Sequence, residues 1–354
     1  MEKKTDFKKM TTKQKYDFIW NVFFCILLIP TSIGIYFLFR DTKKFIKDLK
    51  SLNPSYNFPK FSNLKVILLL LPFFIILKII CESFFVHISE KIMKKKYKDP
   101  NDEKNYILGQ IYKRKLASHM FKGLYYILIT IFGYYVLKDL DYFPKSLLGH
   151  GYMPNMFLKG YPDSYYHIKP KYFDLYYMIC LSYFSCDLVW LLFVYEKQSD
   201  FINMLLHHIC TISLILFSFV TNYSNIGSLV IFCHMESDIL GHAIRFIVQT
   251  DQPIFFIGVV GVSFISNFIY MRQYVFGEMI YVIYKYITWK WGIITTMLWL
   301  FLVILYIMHV RWSYVLLYKT SELVFQKKRI ADDIKFDERH KDDNKENKEK
   351  KHNI

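Results

Sequence analysis

Disulfide and metal-knuckle spacing is missing from this sequence. Its six cysteines (Cys25, Cys81, Cys180, Cys186, Cys210 and Cys233) form no CxxC pair, and each falls within an apolar stretch. That excludes a disulfide framework and a zinc knuckle and leaves the cysteines as small packing residues. Also missing is a basic face interleaved with aromatics on a soluble domain, so the net charge of +16 does not point to nucleic acid. The lysines cluster at 3–15, 43–50, 91–104 and 327–351, in tails and between apolar runs. There they set topology and touch anionic headgroups. No solenoid-type repeat is present, and no cleavable leader is read. Residues 1–16 are basic, and the run that follows is too long for a signal peptide, continuing past Ser32 and Gly34 to Phe39.

What is abundant is apolar and aromatic mass. Of 354 residues, 53% are hydrophobic and 19% aromatic, and the mean hydropathy is positive. The apolar residues gather into stretches of about 20, the length that crosses roughly 30 Å of hydrocarbon. The chain therefore reads as an all-α, polytopic transmembrane helical bundle. Eight spans are expected, at about 17–39, 65–87, 118–138, 172–195, 201–222, 225–248, 254–276 and 292–318. Pro30 and Pro72 are tolerable inside the first two, because neighbouring helices re-satisfy freed backbone groups. Lys78 and Glu82 stand at i,i+4 in the second, which is expected to pair them internally or to lie partly at the interface. Basic termini on the cytosolic side demand an even span count. Segment 88–117 is then cytosolic, and the lysine-rich 40–64 is lumenal, against the usual charge bias.

The organisation follows: a basic cytosolic N-terminus (1–16), two N-terminal spans with basic loops (17–109), a main helical domain (110–320) and a charged tail (321–354). Segment 139–171, with Pro144, Pro154, Pro162 and Pro170 plus Gly149, Gly151 and Gly160, reads as an ordered loop without regular structure, capping one mouth of the bundle. Residues 334–354 are almost wholly charged and polar and read as disordered. Their last five, Lys350-Lys351-His352-Asn353-Ile354, approach a dilysine retrieval signal without matching it.

The chemistry-bearing residues lie between 200 and 245. In DFINMLLHHICTISLILFSFVTN, helical spacing puts Met204, His207, His208, Thr211, Ser218 and Asn222 on one broad side. In NIGSLVIFCHMESDILGHAIR, His234 and Asp238 are i,i+4, and Gly241, His242 and Arg245 continue the stripe. Ionisable groups in lipid-buried helices cost roughly 2.5–3.5 kcal/mol each on insertion scales. Two adjacent antiparallel helices that carry so many must turn them toward one another or a shared cavity. A neutral imidazole can take a proton from an amine or hydroxyl nucleophile and return it to a leaving group. It can also attack an activated acyl group directly. A carboxylate such as Asp238 can hold an imidazole in the useful tautomer. The competing readings are a hydrogen-bonded structural core and a zinc or iron site, although HxxxH and HxxHH ligand spacings are absent. Asp187 and Arg272 divide evenly between structural pairing and site residues.

At these positions the sequence resembles the TLC-domain family, specifically its ceramide synthase (longevity-assurance) branch. The motif of that branch runs from Asp-Phe through Met to His-His-x-x-Thr, then to a Ser-aromatic, Asn and Gly, and ends at His-Asp-x-x-Asp-x-x-Leu-Glu. Asp200, Phe201, Met204, His207, His208, Thr211, Ser218, Asn222, Gly227, His234 and Asp238 match it without a gap. Arg272 resembles a family arginine in the following span. The likeness is strong over 200–245 and extends as a TLC domain of about six helices over 110–320. Departures are Met235 for the aspartate after the histidine, Gly241-His242 for the closing Leu-Glu, and Gln198 and Ser199 for basic residues. Glu236 lies about 100° round the helix from position 235 and cannot simply replace the aspartate.

The resemblance implies a sphingoid-base N-acyltransferase, a multi-pass protein of the endoplasmic reticulum membrane. It would move a fatty acyl group from acyl-CoA to the amine of a long-chain base. On this reading His207 and His208 are the general base or transient acyl acceptor, Asp238 orients an imidazole, and His234 shares the proton traffic. Thr211, Ser218, Asn222, His242 and Arg272 would contact substrate. No metal or resident cofactor is called for, with acyl-CoA as co-substrate. The expected partners are acyl-CoA, the sphingoid base and membrane lipids, with no nucleic acid and with a homo- or hetero-oligomer left open. The rival readings are a non-catalytic TLC protein that binds sphingolipid or acts in trafficking, and an acyl-CoA elongase, which would carry HxxHH.

Overall fold

The computed structural model describes residues 12–52, 59, 64–98, 103–155, 170–194, 200–286 and 292–326. The tail, with its dilysine-like end, and residues 156–169 of the long loop lie outside them. Among the described residues the protein is all helical: α1 (Thr12–Leu52), α2 (Val66–Ile92), α3 (Glu103–Leu137), α4 (Phe173–Phe193), α5 (Phe201–Val220), α6 (Ser224–Ile247), α7 (Ile254–Ile269), α8 (Phe276–Tyr286) and α9 (Ile293–Gln326). A π-helical segment, Tyr270–Val275, joins α7 to α8 without a break, so the two make one traverse.

Seven of these traverses are long and apolar enough to cross a membrane. The eighth, α6, is not, because serine, asparagine, histidine and acidic residues punctuate it. Its 24 residues are mostly buried, packed by α3, α5 and α7. A helix that polar is tolerable at membrane depth only when protein surrounds it. The outer helices invert the rule for soluble proteins: Leu68, Leu69, Ile254 and Phe255 are each at least 75% exposed. Such faces suit lipid rather than water.

The helices form a closed bundle in which α1 lies on α5 and α9, and α2 lies on α3 and α4. Gly34 of α1 lets the helix approach α9 closely, since a Cβ there would meet the Phe301 ring at 2.8 Å. The connections agree with an even number of traverses. The segment after α2 meets the segment after α6, with Lys94 N donating to Gln249 O at 3.2 Å. Asp17 near the start of α1 reaches Arg311 late in α9 at 3.4 Å. The start of α1 and the late part of α9 thus lie together.

Three expectations change. The seventh span does not stop at 276: helix continues to Tyr286, since one face of 276–286 is apolar enough to bury Phe276, Met279, Val282 and Ile283. Lys78 is neither internally paired nor interfacial. It is fully buried and bonds Asp187 of α4 at 3.1 Å. The described part of the long loop, 139–155, contains a 3-10 turn at Lys145–Leu147. It seats on α6 through Tyr142 Oη, 3.2 Å from Ser228 Oγ, and buries Phe143, Leu147 and Met153.

Candidate active site

Adjacent residues on a helix point about 100° apart, and His207 and His208 are divided by that angle between two neighbourhoods. His208 turns toward α4, where Nε2 lies 3.7 Å from Asp187 Oδ2. Asp187 also accepts from Lys78 and from Lys122 of α3 (2.8 Å), so one carboxylate draws four helices together. His207 turns the other way. Its ring lies 6.0 Å from that of His234, near-parallel at 22°, and 5.3 Å from Trp312 of α9.

His234 is fixed by its own helix. Nδ1 donates to the Val230 carbonyl one turn earlier at 2.7 Å, because a carbonyl can only accept. The lone pair is therefore on Nε2, which is buried and without a partner among the described residues. Beside it stands His309 of α9, wholly buried, with ring centroids 5.0 Å apart.

Arg272 organises this side of the site. It sits in the π-helical segment, a local widening that often accompanies functional positions, and is 2% exposed. Nε donates to Ser237 Oγ at 2.6 Å, and Nη2 to the His234 carbonyl at 3.1 Å and to Asp238 Oδ1 at 2.8 Å. Nη1 lies 3.1 Å from His309 Nε2. Such a buried cation is stable only because each nitrogen finds an acceptor.

A narrow cleft opens beside His234, between α5, α6, α8 and α9. Leu214, Ile215, Val230, Ile231, Leu298 and Leu302 make it apolar, while Thr211 and Ser218 contribute hydroxyls. It extends toward the α5–α6 turn, where Tyr223 Oη and Thr295 Oγ1 are 3.0 Å apart. Gly227 also lines it. A Cβ at 227 would collide with Tyr177 Oη and come within 2.6 Å of Ser218 Oγ. Glycine there lets Tyr177 bond Ser218 Oγ at 3.0 Å and the Ser224 carbonyl at 3.1 Å.

Of the residues singled out in the sequence, His207, His234, Arg272 and Asp238 come together, and Thr211 and Ser218 line the cleft. Others sit apart from their expected roles. His208 faces the Asp187 cluster on the far side of α5 from His207. Asp238 orients no imidazole directly: i,i+4 spacing brings it over His234, but its carboxylate is held by Arg272, while His234 is held by Val230. Asn222 is the left-handed turn residue ending α5 (φ 65°) and does not line the cleft. His242, two turns beyond His234, faces α3, with Nδ1 3.2 Å from His119 Nδ1 and its ring stacked on Tyr126. Glu236 accepts from Asn267 of α7 at 3.0 Å, and Met235 is core, so neither supplies the absent carboxylate. Sequence reasoning missed His309 and Trp312. The available signal was a histidine three positions before a tryptophan, deep in an apolar span.

Against known proteins, residues 115–318 match the TLC domain, more than half of the chain. The chain is 25% identical to ceramide synthase hyl-2 of Caenorhabditis elegans over 302 residues, 81% of this chain and 87% of that one. It is 33% identical to ceramide synthase 3 of Mus musculus over 155 residues, 42% of this chain and 39% of that one. Sphingosine N-acyltransferase lag1 of Schizosaccharomyces pombe is 22% identical over 172 residues, 48% of this chain and 40% of that one. A bundle of membrane-crossing helices, the histidine-bearing α5–α6 pair and the extent of the match agree: the chain belongs to the TLC-domain family, in its ceramide synthase branch.

Proposed function

We propose that this protein is an endoplasmic-reticulum N-acyltransferase that joins a fatty acyl group from acyl-CoA to the amine of a sphingoid base. The observation that carries the reading is His234, which lines an apolar cleft and whose buried Nε2 lone pair has no partner among the described residues. Acyl transfer to an amine needs a proton acceptor at the nucleophile and a dry, shaped place for hydrocarbon. His207 takes the amine proton, and His234 shares it. Thr211, whose buried Oγ1 has no partner among the described residues, bonds the polar head at the cleft wall. The CoA phosphates dock at the lysine-rich end of the bundle, where Lys91, Lys94, Lys95 and Lys98 offer positive charge. The chemistry proceeds on side chains alone, with acyl-CoA as co-substrate.

A non-catalytic, sphingolipid-binding TLC protein is the second reading, favoured by Met235 in place of an aspartate. The test is ceramide formation in microsomes of yeast lacking its own ceramide synthases. Sphinganine and acyl-CoAs of several lengths are supplied, and His207→Ala runs beside the wild type. Product from the wild type alone supports the transferase. No product from well-inserted protein that still binds sphingolipid favours the binding module.

A further inference from the structure

Arg272 fixes the hydrogen positions of its neighbour. A guanidinium stays charged and can only donate. The 3.1 Å contact from Arg272 Nη1 to His309 Nε2 therefore places a lone pair on that nitrogen. A proton added at Nε2 would set N–H against N–H beside a full positive charge. His309 is held as the neutral imidazole with its hydrogen on Nδ1. That Nδ1 is buried and meets no acceptor among the described residues. His234 is fixed in the opposite sense, its hydrogen on Nδ1 spent on Val230 and its lone pair on Nε2 free. Two imidazoles with centroids 5.0 Å apart thus offer complementary atoms, one an acceptor and one a donor.

Resting on the acyltransferase reading, we infer that His309 is a catalytic residue whose Nδ1–H hydrogen-bonds the carbonyl oxygen of the reacting acyl group. The amine nitrogen attacks the thioester carbon. An N–C bond forms, and the C=O π pair moves onto oxygen, where the His309 N–H meets the developing charge. The pair then returns, the C–S bond breaks and the thiolate leaves. The proton lost by nitrogen is carried by His207 and His234 to that sulfur, so amine and thioester become amide and thiol. His309 keeps its hydrogen throughout, and a neutral imidazole suffices as electrophile when its surroundings forbid protonation. Arg272 is the positioning residue, acting through His309.

The test uses the full-length protein in detergent, with sphinganine and a long-chain acyl-CoA as substrates. Replacing His309 by Phe should lower kcat about 10²–10³-fold, the usual cost of one lost oxyanion donor. KM for each substrate should stay within about threefold, since the bond is made in the transition state. His309→Asn carries an amide N–H near the Nδ1 position, whereas the amide of His309→Gln reaches the Nε2 position. The Asn variant should keep at least about ten times the kcat of the Gln variant, a transition-state donor being worth more than tenfold. A Phe variant with near-normal kcat, a loss confined to KM, or equal Asn and Gln variants would each overturn the assignment. If the Phe variant does not survive extraction, the Asn and Gln pair decides alone. An active wild type with an unimpaired His309→Phe sinks this inference only, whereas an inactive wild type overturns the acyltransferase reading and this with it.

Discussion

Two buried polar clusters flank α5, and neighbouring histidines of one helix belong to different ones. Around Asp187, charge is concentrated: two lysines on one carboxylate, with His208 alongside. Around Arg272, the single cation is spread over a hydroxyl, a carbonyl, a carboxylate and an imidazole, and three imidazole rings gather beside it. The first cluster ties α2, α3, α4 and α5 together with its charges paired to one another. The second leaves nitrogen atoms of His207, His234 and His309 buried and unpaired among the described residues. Unpaired buried polar atoms are costly and rare. Three of them on neighbouring rings, against His208 Nδ1 among the imidazoles of the other cluster, mark the Arg272 side as the place where a ligand completes the hydrogen bonding.

The contrast can be broken from either side. His207→Ala should abolish ceramide formation by about 10²–10⁴-fold, the usual contribution of a general base, while yield and thermal stability in detergent stay near wild type. Asp187→Asn should do the reverse. Two lysines lose a buried counter-charge, and destabilisation of up to about 3–5 kcal/mol is expected for a broken buried pair, read as loss of monodisperse protein on size exclusion. His208→Gln should lower folded yield and activity together, in contrast to His207. Gly227→Ala is expected to cost about 1–3 kcal/mol by overpacking against Tyr177 and Ser218, checked by thermal unfolding, and to narrow the cleft so that longer acyl-CoAs suffer first. Smallest of all, His242→Phe should leave turnover within about threefold of wild type, because its ring packs on Tyr126 and its Nδ1 meets His119, both outside the cleft. A large loss in that variant would erase the boundary drawn here between the site and its surroundings.

Much of this was legible before any coordinates. Helix-length apolar runs located the seven traverses apolar enough to cross a membrane, the eighth expected span being the polar, buried α6, and polar residues at helical spacing brought His207, His234 and Asp238 to facing stripes. Arg272 was recognisable as a charge that lipid would not accept. Spacing along a helix does not say which partner a side chain chooses, however. Lys78 and Glu82 satisfied the i,i+4 rule, yet Lys78 reached across to Asp187. Asp238 satisfied it with His234, yet bonded Arg272. His309 was hard to read for a related reason: its own span marks it only by Trp312 three positions on, and its significance comes from α7 through α9 folding back on α6. The end of the seventh span was misjudged because Gly277 and Glu278 interrupt hydropathy without interrupting the helix, which runs on through α8.

The π-helical turn at Tyr270–Val275 sets the phase of the helix that follows it. Such a turn is an α-helix that has absorbed one additional residue. Deleting one residue within it would restore ordinary winding and leave the downstream helix near its present phase, so the loss would fall on the turn that carries Arg272. Deleting one residue from 277–282 would instead rotate the rest of α8 by about 100°. The hydrophobic span would be almost unchanged in composition, and membrane insertion would have little to detect. Yet Ile283 would swing out of the cleft wall. A single-codon deletion in α8 would thus be silent for topology and severe for the cleft.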